Sequence, residues 1–253
     1  MSGQRMRDRA PGAAVMEQVV RLQEAAPPRS PLARALGVGP LIDDAQPWFT
    51  GALGEREVGA LLSRLPGGWS AFHAVPVGSG ESDVDHLVVG PGGVFVINTK
   101  HHRGARVTVY ERAVYVGGSK QPYLRNADLE ASRVRGLLMR AGIEAPVEPV
   151  IVVVGAKELR LRQPPARATV LRAEGLVRGL SRRPPRLDAD TVARAAALFD
   201  DPATWRPVAP SAETVERFEV IEREVRSAQW VRLGWGLAGA LAVVAVALPF
   251  LPH

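Results

Sequence analysis

The sequence predicts a mixed α/β domain, a sheet with helices on its faces, followed by an apolar C-terminal helix. Three observations carry this. Apolar residues recur at helical spacing on either side of several short β-rich segments. Pro149 to Val154 is apolar throughout, as suits a central strand covered on both faces. Leu233 to Leu251 is a run of 19 residues without a charge.

Residues 1–47 read as a mostly disordered arm, with prolines at 11, 27, 28, 31, 40 and 47. Only Ala13 to Ala26 has helical spacing there, with Val15, Val19 and Leu22 on one face. From Thr50 to Leu65 the residues Leu53, Val58, Leu61, Leu62 and Leu65 form an apolar stripe, which Pro66-Gly67-Gly68 ends. Trp69 to Val77 alternates as a strand, and Gly78-Ser79-Gly80 reads as a turn or mobile loop. Val84 to Val89 and Val94 to Ile97 flank Gly90-Pro91-Gly92-Gly93 and predict a β-hairpin. Further strands are expected at Arg106 to Tyr110, Ala113 to Val116 and Thr169 to Leu171. Helices are expected from about Asn126 to Ala141 and from Glu174 to Leu180.

Arg182-Arg183-Pro184-Pro185 reads as a boundary, and Asp188 as the N-cap of a helix ending near Phe199. Pro202, Pro207 and Pro210 punctuate the chain before a charged helix that starts at Ser211. The expected organisation is an arm over 1–47, the α/β domain over 48–183, a helical linker over 184–229 and a transmembrane helix over 230–251. A 19-residue helix spans roughly 28 Å, close to the thickness of a hydrocarbon core. Trp230 and Trp235 sit at its entry end, and Arg223, Arg226 and Arg232 precede it. The positive-inside rule then places the N-terminal portion in the cytoplasm of a single-pass membrane protein. A buried helix of a soluble bundle is the competing reading.

The absence of cysteine excludes disulfide scaffolds, thiolate zinc sites, iron–sulfur clusters and cysteine nucleophiles. No Walker A, GxGxxG or GxSxG pattern occurs. Formal net charge is +6, and the excess is local: residues 51–183 carry 19 Lys and Arg against 12 Asp and Glu. A basic surface on that segment suits a phosphate-bearing partner.

The chemistry concentrates between Asp83 and His102. Asp85 opens one hairpin strand, while Asn98 and Lys100 lie two apart on the next and share a face. A tight turn brings the three to one sheet end, and Glu55 on the preceding helix can complete the cluster. Oxygen ligands hold Mg²⁺ or Mn²⁺, and a lysine orients a water and offsets phosphate charge; metal-dependent nucleases need this set. Arg103 and Arg106 are candidates for phosphate contact. His101 and His102 face opposite sides of a strand, which argues against a zinc site.

In Gly54-Glu55, Asp83-x-Asp85-His86, the Gly-Pro-Gly-Gly turn and the closing Thr99-Lys100, Thr50 to about Leu180 resembles the nuclease-related domain (NERD) family. That family is a branch of the restriction-endonuclease-like, PD-(D/E)xK, superfamily. The resemblance implies a restriction-endonuclease-like mixed sheet flanked by helices. It also implies a metal-binding role for Asp85, a catalytic role for Lys100, and a site role for Glu55. One position departs: the family has Glu before Thr-Lys, and here Asn98 stands there. An amide oxygen can ligate Mg²⁺ but brings no charge. The family also often carries a glutamine on the next helix; the matching place holds Glu130, a substitute ligand or, on the reading preferred here, a surface residue. Two functions follow. One is a membrane-anchored, Mg²⁺-dependent nuclease acting on DNA ahead of RNA, with Asp85, Glu55 and Asn98 as metal ligands. The other is a degenerate domain that binds nucleic acid or protein without cutting.

Overall fold

The computed structural model describes residues 4–77, 83–209 and 211–247. The loop expected at 78–80 therefore lies outside the described residues. The described chain falls into two compact units: Met1–Val15 with Thr50–Ser211, and Met16–Phe49 with Ala212–His253.

The first unit is built on two sheets. The larger takes β1 (Ser70–Val75), β2 (Val84–Gly90), β3 (Gly93–His101), β7 (Val147–Val154) and β9 (Thr169–Arg172), side by side in that order. β1, β2 and β3 run antiparallel, and β3, β7 and β9 run parallel, so the sheet is mixed as expected. The smaller sheet has the order β6 (Ser119–Gln121), β5 (Ala113–Val116), β4 (Arg106–Tyr110) and β8 (Glu158–Leu161). The two edge strands β6 and β8 are not expected from the sequence.

Helices cover both faces of the larger sheet because its central strands are apolar on both sides. Val94 and Val96 of β3 point into one cluster, with Ala131, Val134 and Leu138 of α4 (Tyr123–Arg140) and Val192 and Phe199 of α6 (Ala189–Asp200). Phe95 and Ile97 point the other way, against Val58 and Leu62 of α3 (Gln46–Leu62) and Leu176 and Leu180 of α5 (Leu176–Ser181). Asp188 caps α6 as predicted, accepting the Thr191 N–H at 2.8 Å. α6 belongs to this core and is not a free linker: Phe72 of β1 meets Phe199 edge to face at 6.0 Å.

Gly90 and Gly93 pair with each other, so Pro91 and Gly92 alone span the hairpin turn. A Cβ on Gly90 would lie 2.3 Å from the Trp69 ring. Gly90→Ala is therefore expected to cost about 1–3 kcal/mol, as overfilled cores do, and urea denaturation of the two proteins measures it.

The arm expected over 1–47 carries α1 (Ala13–Glu24) and α2 (Pro31–Ala35). Met6 and Arg9 are buried in the first unit, where Arg9 donates to the Ala74 carbonyl at 2.9 Å. In the second unit Phe49 stacks on Phe218 at 5.3 Å, and Arg29 pairs with Glu224 at 3.1 Å. Its long helix α7 (Ser211–Ala247) includes most of the predicted transmembrane segment. That span is not shown: among the described residues, no helix is long and apolar enough to cross a membrane. Arg232 and the glycines at 234, 236 and 239 dilute the run, and its last residues, from 248, lie outside the described chain.

Candidate active site

The site forms where the hairpin opens. β2 and β3 pair regularly from Gly90↔Gly93 to His86↔Ile97, and the ladder then stops. β3 still continues beside β7 as far as His101. The Thr99 N–H, left without a strand partner, donates instead to the Asp85 carboxylate at 2.6 Å. β1 is interrupted at the same level. Pairing skips Ala74 opposite Asp85, and Ala74 adopts a left-handed φ of 47°, costly for a residue with a Cβ. Arg9 holds the carbonyl of that strained residue. Asp85 thus occupies a break in two ladders, fixed by a main-chain hydrogen bond and not by ordinary strand pairing.

Lys100 projects from the same face of β3 as Asn98, and its Nζ donates to Asn98 Oδ1 at 3.0 Å. The ammonium also lies 5.3 Å from the centroid of the Tyr123 ring, at the start of α4. The Tyr123 hydroxyl is 2.9 Å from His102 Nε2. Glu55 arrives from α3 on the other face of the sheet. There Gly54 lets the helix close on β3: a Cβ at Gly54 would stand 3.0 Å from that of His101, whose Nδ1 donates to the Thr50 carbonyl at 2.9 Å. The Gly54-Glu55 dipeptide therefore works as a unit, with the glycine permitting the approach that brings the carboxylate to the strand ends.

The charges are closely coupled. Burial pushes Glu55 well above the usual carboxylate range, the negative charge of Asp85 raises it further, and Lys100 pulls it back. Asp85 is raised by burial, against the opposing pull of Lys100 and the Thr99 N–H. Two carboxylates that each resist ionisation, beside one ammonium, mark a place whose charge is incomplete and which favours a cation. Among the described residues no three His, Asp or Glu side chains gather tightly enough to hold a metal. The oxygen set is two carboxylates and one amide, which is hard-ligand chemistry suited to Mg²⁺ or Mn²⁺.

Glu130 does not behave as the surface residue preferred from the sequence. It is buried, and Asn98 Nδ2 donates to its carboxylate. Burial raises it to about 7, the Asn98 hydrogen bond opposing and the Asp85 charge adding to the shift. Glu130 stands at helical spacing with the buried Ala127, Ala131, Val134 and Leu138, and that stripe was the signal available in the sequence. Lys100, Asn98 and Glu130 consequently form one hydrogen-bonded chain across the site. Of the other predicted residues, Arg103 is exposed in the turn after β3, and Arg106 is exposed on β4, in the smaller sheet.

Residues 50–154 match the family model of the nuclease-related domain. This segment is a nuclease-related domain. No curated protein and no solved structure matches the chain. The matched residues of the NERD domain include Glu55, Asp85, Asn98, Lys100 and Glu130, and they run from α3 to the end of β7.

Behind the NERD site lies a histidine pair, His86 buried and His73 half-buried. His73 Nδ1 and His86 Nδ1 are 2.8 Å apart, and His86 Nε2 is 3.3 Å from the Thr99 hydroxyl. Burial lowers His73 to about 4 and holds His86 well below the usual histidine range. The unfolded chain then binds more protons between pH 4 and 6.5, so stability rises with pH across that window. The His73 contribution, full above pH 6.5, is expected to fall by about 3 kcal/mol on acidification to pH 4. The difference in urea stability between wild type and His73→Phe at pH 4.5 and pH 7 reads it; a difference independent of pH contradicts it.

Proposed function

We propose that the chain is a metal-dependent nuclease that hydrolyses phosphodiester bonds in DNA or RNA. The observation that supports this most strongly is the convergence of Glu55, Asp85 and Lys100 at the opened end of the hairpin inside a NERD domain. Asp85 and Glu55 would hold Mg²⁺ or Mn²⁺ with the Asn98 amide oxygen as a neutral third donor. The chemistry such an ion supplies when bound is a lowered water pKa and neutralisation of charge on the scissile phosphate. Lys100 contributes a fixed positive charge and donor N–H groups that orient a water and stabilise negative charge as it develops on phosphate. Thr99 fixes Asp85 through its N–H, and Glu130 fixes the Asn98 amide. Arg103 extends the positive surface toward the flanking phosphates.

Incubating the full chain with plasmid, single-stranded DNA and RNA in Mg²⁺ or Mn²⁺ tests this reading. Cleavage of at least one substrate, abolished by EDTA, is expected; intact substrates under all conditions contradict hydrolysis.

The charge-free end of α7 supports a second part of the proposal, attachment to the cell membrane with the NERD domain on the cytoplasmic side. Leu233, Leu237, Leu241 and Val243 are all exposed, on an apolar segment preceded by arginines. On fractionation the full-length chain is expected in the membrane pellet and released by detergent; a chain that stays soluble without detergent contradicts attachment.

A further inference from the structure

We propose that the open face of the smaller sheet binds single-stranded nucleic acid. This names the substrate form for the proposed nuclease, and so rests on that reading. One face of the sheet is committed to the core: Val107, Val109 and Val114 are buried with Leu124, Ala127 and Ile151. The alternate residues stand on the other face, which lines an open cavity of about 790 Å³.

Register sets the chemistry of that face. Thr108 of β4 pairs with Arg160 of β8 on one side and Tyr115 of β5 on the other, and Tyr115 pairs in turn with Lys120 of β6. A row Arg160, Thr108, Tyr115, Lys120 therefore crosses all four strands, with cations at both ends and an aromatic ring inside. Tyr110 stands beside it, its ring edge-on to Tyr115 at 5.8 Å, and is 41% exposed. Arg106 lies two residues before Thr108 on the same face of β4. Arg160 pairs with Glu158 at 2.5 Å, and the neighbouring Arg112 with Glu111 at 3.9 Å. Arg106 and Lys120 pair with no carboxylate among the described residues. The acids of this face are thus already neutralised, and two cations remain for an outside anion.

An exposed ring, Tyr110, and a half-buried one, Tyr115, beside cations without a carboxylate partner match a ligand in which planar rings alternate with phosphates. A duplex hides the faces of its bases inside the stack, whereas a single strand presents them. The position also suits delivery to the site. Arg106 is six residues beyond Lys100, so the two Cα atoms lie at most about 22 Å apart.

Fluorescence anisotropy of labelled dT15 and rU15 with the full chain in EDTA tests the proposal, with a 15-base-pair duplex as comparison. Tyr115→Ala is expected to weaken single-strand binding about tenfold, as loss of one stacked base does, and Tyr115→Phe to restore it. Arg106→Ala and Lys120→Ala are each expected to reduce the slope of log affinity against log salt by about 0.7. Circular dichroism establishes that each variant is folded. The proposal is overturned if folded Tyr115→Ala and Arg106→Ala bind like wild type, or if the duplex binds as tightly and loses as much on Tyr115→Ala. Absence of cleavage with this pattern intact would refute hydrolysis and leave the binding face standing.

Discussion

Lys100→Met is expected to slow phosphodiester cleavage by about 10²–10³-fold while leaving the fold in place. The magnitude is that of removing one preorganised donor from a site where charge develops. Lys100 is held by Asn98 Oδ1 at 3.0 Å and by the Tyr123 ring, so its charge is aimed before substrate arrives. Methionine keeps the length of the stem, and the loss then reports the charge and its N–H groups. Cleavage rates and urea midpoints measured on the same preparations separate the two effects. A large fall in rate with an unchanged midpoint supports the assigned role, and equal rates remove Lys100 from the chemistry.

Asn98→Glu, which restores the family's residue, is expected to cost stability. The Asn98 amide N–H donates to Glu130, and both groups are buried. A second carboxylate there removes the donor and sets two acids against one another, a penalty of about 2–3 kcal/mol for unsatisfied buried groups. Glu130→Gln in the same chain returns a donor and is expected to recover most of the loss. The four proteins form a double-mutant cycle, read by urea denaturation. Strong coupling shows that Asn98 and Glu130 act as one exchanged pair, with the carboxylate carried by the helix and the amide by the strand. Additive effects would separate them, and Asn98 would then be a plain loss of a ligand. If the wild type is inert and the double variant cleaves, the degenerate reading of this domain gains its support.

Much of this arrangement was legible in the sequence because it is local. The hairpin is written in two apolar runs around Gly90-Pro91-Gly92-Gly93, and strand alternation alone puts Asn98 and Lys100 on one face. What escaped was long-range. β8 is four residues of alternating charge, Glu-Leu-Arg-Leu, and is a strand only because β4 lies beside it about 50 residues earlier in the chain. β6 escaped for a local reason: its three residues, Ser-Lys-Gln, carry no apolar pattern, and it is a strand only through its pairing with β5 across Gly117-Gly118. Arg9, in a segment rich in arginine and proline, gives no local sign that it will hold the strained Ala74. Glu130 is different: its place on an apolar helical stripe was readable, and a carboxylate there suggested a surface only because carboxylates are seldom buried. The C-terminal run is not settled by local reading: its last residues, from 248, lie outside the described chain, and among the described residues no helix is long and apolar enough to cross a membrane.

The central claim is that Asp85 anchors a metal-dependent cleaving centre. It is tested most directly by cleavage of one nucleic-acid substrate by wild type and Asp85→Asn, in Mg²⁺ and in EDTA. Asparagine can still accept the Thr99 N–H that positions Asp85, so the variant is expected to fold. The predicted result is cleavage by wild type in Mg²⁺ alone, with Asp85→Asn at least about 10²-fold slower. Cleavage that survives EDTA, or an Asp85→Asn protein as active as wild type, would contradict it.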